Sequence, residues 1–311
     1  MLLDLAMIAG GLVVLVFAGD ALVKGAVNLS LRLGIPALIV GLTVVAFGTS
    51  APELIVSVQA VLSGVPALAL GNVVGSNTAN ILLVLGIPAL IAAIPVARNL
   101  TRDYVIMIAA SVLFIALAFT GEFGRWQALV LLGGLGLMLA DCYVRAQRQR
   151  VGAVELEGAE EGMSGVKIAG YLVAGIVGLP VGAHFLVDGA VGVATVMGVS
   201  EAILGLTLVA IGTSLPKLAT TVAAAFRREA GVALGNVLGS NVFNLLGIIG
   251  VAGLVGPIPV PLDMLQIDLW VMLGASVMLG GFIWMRRDIS RLWGVILLIL
   301  YVAYVVSLFY W

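Results

Sequence analysis

Charge is scarce in this sequence. Of its 311 residues only 10% are Asp, Glu, Lys or Arg, while 62% are hydrophobic and the mean hydropathy is +1.23. A water-soluble domain carries about a quarter charged residues, so the shortage excludes that class and leaves a protein that crosses a membrane many times. The formal net charge of −1 argues against a polyanionic partner such as nucleic acid. The single cysteine, Cys142, excludes an internal disulfide and a cysteine-built metal site. The single histidine, His184, lies in an apolar run with no serine or cysteine nucleophile at a recognisable spacing. Histidine-centred catalysis therefore has no foundation, and the chain is not read as an enzyme. A basic leader is missing too. Asp4 stands where a signal peptide needs positive charge and no A-x-A site follows, so the N-terminal stretch reads as a first spanning helix.

What is present is a long duplication. Residues 205–250, GLTLVAIGTSLPKLATTVAAAFRREAGVALGNVLGSNVFNLLGIIG, repeat residues 41–86, GLTVVAFGTSAPELIVSVQAVLSGVPALALGNVVGSNTANILLVLG, at a constant offset of 164, with 23 of 46 positions identical. Inside both blocks sit GTSxP and GNVxGSNxxN, the densest groups of small polar residues in the chain. One difference stands out: Glu53 in the first block is Lys217 in the second.

Apolar segments fall near 3–30, 36–63, 69–95, 103–120, 126–145, 167–195, 200–226, 232–255, 266–285 and 290–310. At about 20 residues per span this is ten helices, five on each side of a polar link. The expected fold is thus an all-α membrane protein with a first half at 1–146, a polar linker at 147–165 and a second half at 166–311. The linker holds Glu155, Glu157, Glu160 and Glu161 but no Asp-x-Asp-x-Gly loop, so it reads as a solvated tether and not a calcium sensor. Because five is odd, two homologous halves must enter the membrane in opposite senses. Charge agrees. With the N-terminus outside, the inner segments carry Arg32, Arg98, Arg102, Arg145, Arg148, Arg150, Lys167, Arg227, Arg228, Arg286, Arg287 and Arg291, and the outer ones only Arg125. That is the positive-inside distribution of a multi-pass protein of a plasma (inner) membrane with both termini outside.

Inverted repeats with polar, glycine-interrupted helices at matching positions are the signature of a secondary transporter. Pro52 and Pro216 lack an amide hydrogen and are expected to break their helices, turning freed carbonyls toward a cavity. Thr49, Ser50, Thr213 and Ser214 add hydroxyls on the same turns, and Asn80 and Asn244 add amide oxygens. Hard cations want such a cage of oxygens with one or two carboxylates. The glycines Gly71, Gly75, Gly235 and Gly239 read as close helix packing. Asp20 and Lys24 stand four apart on the first helix and are expected to pair; their equivalents are His184 and Asp188, again four apart.

The paired GTSAPE and GNxxGSNxxN blocks resemble the alpha repeats of the cation/calcium exchanger superfamily, in particular its prokaryotic sodium/calcium exchanger branch. The resemblance covers nearly the whole chain. It implies an alternating-access antiporter that binds calcium, with sodium or protons as the counter-ion, between helices 2, 3, 7 and 8. Inorganic cations and the lipid bilayer are then its partners, with no tightly bound cofactor and no obligate protein partner. Carried over by motif position, the ligands are Glu53, Thr49, Ser50, Ser76, Asn80 and the carbonyl of Ala46, then Thr213, Ser214, Ser240, Asn244 and the carbonyl of Ala210. The family closes this site with a second glutamate, and here that residue is Lys217. The exchange alters the site's formal charge by two units. At an effective dielectric of about 20, an ammonium about 4 Å from a divalent ion costs roughly 8 kcal/mol. Three readings stay open: Lys217 is a tethered cation that gives way to a metal ion, it pairs with Glu53 and locks the protein, or it is an exchanged glutamate in an otherwise ordinary exchanger.

Overall fold

A computed structural model describes residues 1–96, 100–148, 162–196 and 201–308, without the side chains of 194, 195, 201–211 and 213. Ten helices follow one another among these residues: α1 Leu2–Leu33, α2 Ala37–Leu62, α3 Pro66–Ile91, α4 Thr101–Ala118, α5 Arg125–Arg148, α6 Gly165–Val196, α7 Glu201–Phe226, α8 Ala230–Val255, α9 Met264–Met285 and α10 Arg291–Ser307. Eight of them are long and apolar enough to cross a membrane, and α10 is an apolar helix of 17 residues. The punctuation residues explain the ends. Gly34 takes a left-handed conformation to close α1, and Pro66 starts α3 where its missing N–H has no ladder partner to lose. Acidic linker residues 155–161 lie outside the described residues.

The distribution of side chains is that of a protein in lipid. Leu2, Phe17, Ile55, Leu137 and Val173 face outward, whereas Thr49, Ser50, Glu53, Asn77, Asn80, Lys217, Asn241 and Asn244 are buried. Chain direction alternates, so Arg32, Arg102, Arg145, Arg148, Lys167, Arg227, Arg228, Arg286, Arg287 and Arg291 collect at one face. Arg98 and Arg150 lie outside the described residues. On that face an antiparallel bridge joins Ile94 to Ile289, and Arg145 holds Asp103 at 2.6 Å and Asp141 at 2.9 Å. On the opposite face Glu122–Phe123 pairs with Ile258–Pro259, the one sheet among the described residues.

The contacts obey the sequence offset. A methyl group added at Gly11 of α1 would lie 2.6 Å from the backbone nitrogen of Leu186 on α6; one added at Gly175 would lie 2.9 Å from that of Leu22. Adding 164 to 11 gives 175, and subtracting it from 186 gives 22, so the two contacts are one contact seen from either half. Gly25 against Leu172 and Gly189 against Ile8 form a second such pair, at 3.0 and 2.9 Å. Residues low in α1 meet residues high in α6, hence the two equivalent helices run antiparallel, joined through glycines that let backbones approach. Gly86 of α3 packs on Leu298 of α10 and Gly250 of α8 on Leu132 of α5, the same pairing of helices repeated with the partner residue displaced by two positions. The halves are inverted copies about a two-fold axis, with α2, α3, α7 and α8 at the centre.

Gly71 and Gly75 do not pack closely, since a methyl group added at either meets nothing within 4 Å, whereas Gly235 and Gly239 lie against Leu38 and Leu42 of α2. Two further expectations need correction. Pro52 and Pro216 do not break their helices, which run on through both prolines. Glycine stands four residues before each, but Gly48 and Gly212 serve helix packing: a methyl group added there would meet Ile176 and Val187 of α6 at 2.8 and 2.7 Å. In α2 the ladder widens into a π segment at Gly41–Val45, the kind of local adjustment by which membrane helices absorb proline. A second π segment, Phe243–Ile248, lies in α8. The other correction concerns Asp20, whose carboxylate accepts from Arg227 Nε at 2.6 Å. The ammonium of Lys24 lies over the ring of Tyr171, 5.0 Å from its centre. His184 and Asp188 do pair, at 3.3 Å.

Candidate functional site

Four helix faces meet at the axis. On α3 the residues Asn72, Ser76 and Asn80 stand four apart, and on α8 so do Asn236, Ser240 and Asn244, which puts each set on one side of its helix. On α2 the turn spacing brings Ala46, Thr49, Ser50, Glu53 and Ser57 to one buried face. On α7 the matching positions are Ala210, Thr213, Ser214, Lys217 and Thr221. The side chains of Ala210 and Thr213 lie outside the described residues.

Glu53 and Lys217 differ by 164 in number, and they touch: Lys217 Nζ donates to Glu53 Oε1, with neither side chain exposed. Lys217 Nζ also donates to the Thr49 carbonyl at 3.2 Å. The lysine therefore points into the polar core and not toward an interface. A buried pair of this kind gains its attraction against a heavy desolvation cost, so removing one partner is far worse than replacing both.

Around the pair the hydroxyls and amides are tied both within each repeat and, through Thr49–Asn236, Asn80–Asn241 and Asn244–Asn77, from one repeat to the other. Thr49 Oγ1 donates to Asn236 Oδ1 at 2.9 Å, and Ser240 Oγ donates to the same oxygen at 3.4 Å. Asn72 Nδ2 donates to Ser57 Oγ at 2.9 Å and to the Glu53 carbonyl at 3.2 Å. Asn80 Nδ2 donates to Asn241 Oδ1 at 2.8 Å, and Asn244 Nδ2 to Asn77 Oδ1 at 2.9 Å. Asn72, Asn77, Asn236 and Asn241 were not among the residues expected at the site. Their signal was available, since amides repeated at the same offset inside apolar helices demand partners.

Among the described residues, several buried oxygens have no donor: Ser50 Oγ, Glu53 Oε2, Asn80 Oδ1, Ser214 Oγ and Asn244 Oδ1. Ser50 and Ser214 are equivalents, and so are Asn80 and Asn244. Leaving a buried polar atom unpaired costs about 1–3 kcal/mol, and besides these five oxygens one donor, Asn236 Nδ2, is unpaired at the same axis, so the site is polar and able to take a small ligand. A hard cation is such a ligand, and hydroxyl, amide and carboxylate oxygens are its preferred donors. Ser76 is buried on the same face of α3, and the Ala46 carbonyl lies 3.4 Å from Thr49 Oγ1.

Comparison with known proteins gives the same picture from outside. The model of the sodium/calcium exchanger protein family matches residues 3–143 and 167–310. The chain is 32% identical to the sodium/calcium exchanger MaX1 of Methanosarcina acetivorans, covering 96% of this chain and 97% of that one. It is 37% identical to the inner membrane protein YrbG of Escherichia coli, over 92% and 90%. A solved structure of the sodium-calcium exchanger NCX_Mj, soaked without sodium or calcium, superposes with a TM-score of 0.86 at 30% identity, covering 99% of this chain and all of that one. With both halves matched and the fold shared end to end, the chain belongs to the sodium/calcium exchanger protein family, a family of multi-pass cation antiporters and not of enzymes.

Proposed function

We propose that the chain exchanges calcium for sodium or protons by alternating access, and that the cargo cation and the Lys217 ammonium compete for Glu53. The observation that carries this reading is the contact of Lys217 with Glu53 among oxygens that lack donors. In this reading the cargo is held by Glu53, Thr49, Ser50, Ser76, Asn80 and the Ala46 carbonyl from the first repeat. Thr213, Ser214, Ser240, Asn244 and the Ala210 carbonyl hold it from the second. Calcium and sodium are the ions for which the exchangers MaX1 and NCX_Mj are named. A divalent ion and an ammonium cannot share one carboxylate, so Lys217 leaves Glu53 before calcium settles. It does so either by swinging aside or by giving up its proton, and the two routes call for different driving gradients. The motion assigned to the cycle is a shift of α1 and α6 across α2, α3, α7 and α8. The arginine-rich face is placed in the cytoplasm, with both termini outside a plasma membrane. Inorganic cations and lipid are the partners; no nucleic acid, obligate protein partner or tightly bound cofactor is assigned.

A second reading is favoured by one detail. Lys217 bonds both Glu53 and the Thr49 carbonyl, so a single side chain fastens α7 to α2. A lasting bond of that kind would lock one conformation and leave a membrane protein that does not transport. Calcium-45 uptake by proteoliposomes separates the readings, under an outward sodium gradient and separately under an outward proton gradient, with Lys217→Glu measured beside the parent. Uptake by the parent under the proton gradient supports competition through the lysine proton. Uptake by Lys217→Glu alone supports the lock. Sodium-driven uptake by the parent that is weaker than that of Lys217→Glu supports a lysine that swings aside, whereas equal sodium-driven uptake by both proteins would show that Lys217 does not compete for Glu53 and overturn the proposal.

A further inference from the structure

The four asparagines at the centre divide into two kinds. Asn80 and Asn244 each have a side-chain oxygen without a donor, whereas Asn77 and Asn241 accept their amide hydrogens. The two bonds are exchanged between halves: 80 plus 164 is 244, and 241 minus 164 is 77. Each ligand amide is thus held by an asparagine of the opposite repeat. The holders are themselves fixed. Asn77 Nδ2 donates to the Asn241 carbonyl at 3.1 Å, and Asn241 Nδ2 lies 3.6 Å from Met107 Sδ. All four side chains are buried, with at most 1% of their surface exposed.

A carboxamide has two ends of nearly equal size and opposite character. Turned one way Asn80 offers a cation an oxygen; turned the other way it offers an NH2 group, which repels one. Shape alone does not choose between them. A neighbour that accepts hydrogen bonds does, because it holds the NH2 end and leaves the oxygen facing away from it. We infer that Asn77 and Asn241 are positioning residues for cation binding, each fixing the amide orientation of a ligand on the other repeat, Asn244 and Asn80 respectively. This rests on the reading of Asn80 and Asn244 as cargo ligands. It extends that reading in one respect: neither repeat orients its own amide ligand, so the cage forms only where α3 and α8 are docked. Residues that orient metal ligands typically govern affinity by about 10–100-fold without touching the ion.

The test is a set of double-mutant cycles in the Lys217→Glu background, which frees Glu53 of the ammonium. Binding of calcium chloride and of sodium chloride to the purified full chain is read from calorimetry and from the rise in melting temperature. Asn241→Ala is expected to weaken binding about tenfold or more, as is Asn80→Ala. The double variant Asn80→Ala/Asn241→Ala should match Asn80→Ala within about twofold, since a residue acting through another has nothing left to act on. Asn241→Asp keeps an acceptor for Asn80 Nδ2 and should retain affinity within about threefold. Asn77 and Asn244 should give the mirrored results. A loss from Asn241→Ala that persists undiminished in the Asn80→Ala background would overturn the inference and make Asn241 a general packing residue. An Asn241→Asp variant as weak as Asn241→Ala would overturn it too, because Asn241 would then be donating. If Asn80→Ala binds normally, or the Lys217→Glu parent binds neither ion, the ligand assignment itself fails and takes the inference with it. If Asn80→Ala weakens binding and Asn241→Ala does not, only the positioning role fails. Should the alanine variants not fold, Asn241→Asp and Asn77→Asp decide on their own, by keeping or losing affinity.

Discussion

The asparagine layer and the Glu53–Lys217 pair occupy the same axis and treat it in opposite ways. In the layer, Asn80–Asn241 and Asn244–Asn77 are the same bond made twice, at 2.8 and 2.9 Å. In the pair, two equivalent positions carry opposite charges and form one bond that has no mirror image. Hydrogen bonding tolerates duplication because a carboxamide both donates and accepts. Charge does not, since two like groups in contact repel and two unlike groups cancel. On the function proposed above, the layer preserves the geometry of a cation cage, while the pair decides what net charge that cage presents.

Four sets of substitutions sharpen this contrast. The largest effect is expected at the pair. Lys217→Met leaves Glu53 as an uncompensated buried carboxylate and should lower stability by about 3–5 kcal/mol, read from unfolding in detergent. Glu53→Gln/Lys217→Met should be more stable than the single lysine variant, and a double variant that is weaker still would show that the two charges do not compensate each other. Next come the glycines of the antiparallel seam. Gly11→Ala and Gly175→Ala put a methyl 2.6 and 2.5 Å from their nearest neighbours, and overpacking of this kind costs about 1–3 kcal/mol. Equal losses would extend the symmetry to the periphery; unequal losses would confine it to the core. Ser50→Ala and Ser214→Ala should each weaken cation binding by about fivefold, corresponding to about 1 kcal/mol for one lost oxygen. A large difference between them in binding assays would place the ion off the axis, nearer one repeat. The smallest effect is expected for Asp20→Asn, which breaks a part-exposed pair with Arg227 that has no counterpart, since the equivalent positions are His184 and Ser63. Its cost should stay within about 1 kcal/mol in the same unfolding assay.

Much of the fold is legible in the sequence because lipid enforces simple rules. Ten apolar runs separated by Gly-Pro and arginine clusters give ten helices with ends displaced by only a few residues. The duplication together with the odd helix count gives the inversion that Gly11–Leu186 and Gly175–Leu22 display. Glu53 and Lys217 are legible as a site because ionisable groups at that depth are costly. Their contact follows from the inversion, which sets equivalent positions face to face. Other features depend on side-chain direction, which spacing does not carry. The exchange of asparagine bonds between halves could not be read from GSNxxN, where Asn77 and Asn80 look like neighbours on one helix. Asp20 reaches Arg227 on a distant helix although Lys24 stands one turn away on its own. The prolines mislead because each costs one backbone bond, and a helix in lipid retains its remaining backbone bonds more strongly than one in water.

The axis between Glu53 and Lys217 carries a lesson about ancestry. In a homodimer of identical halves, any residue on the two-fold axis would meet its own copy. Position 53 would face another glutamate, and position 217 another lysine. A salt bridge at that point is open only to halves that are no longer identical. The Glu53–Lys217 bond thus makes the halves non-interchangeable: two copies of the second half would press two ammonium groups together at the centre of the membrane, and two copies of the first would set two carboxyl groups together, to be held by a shared proton or a cation.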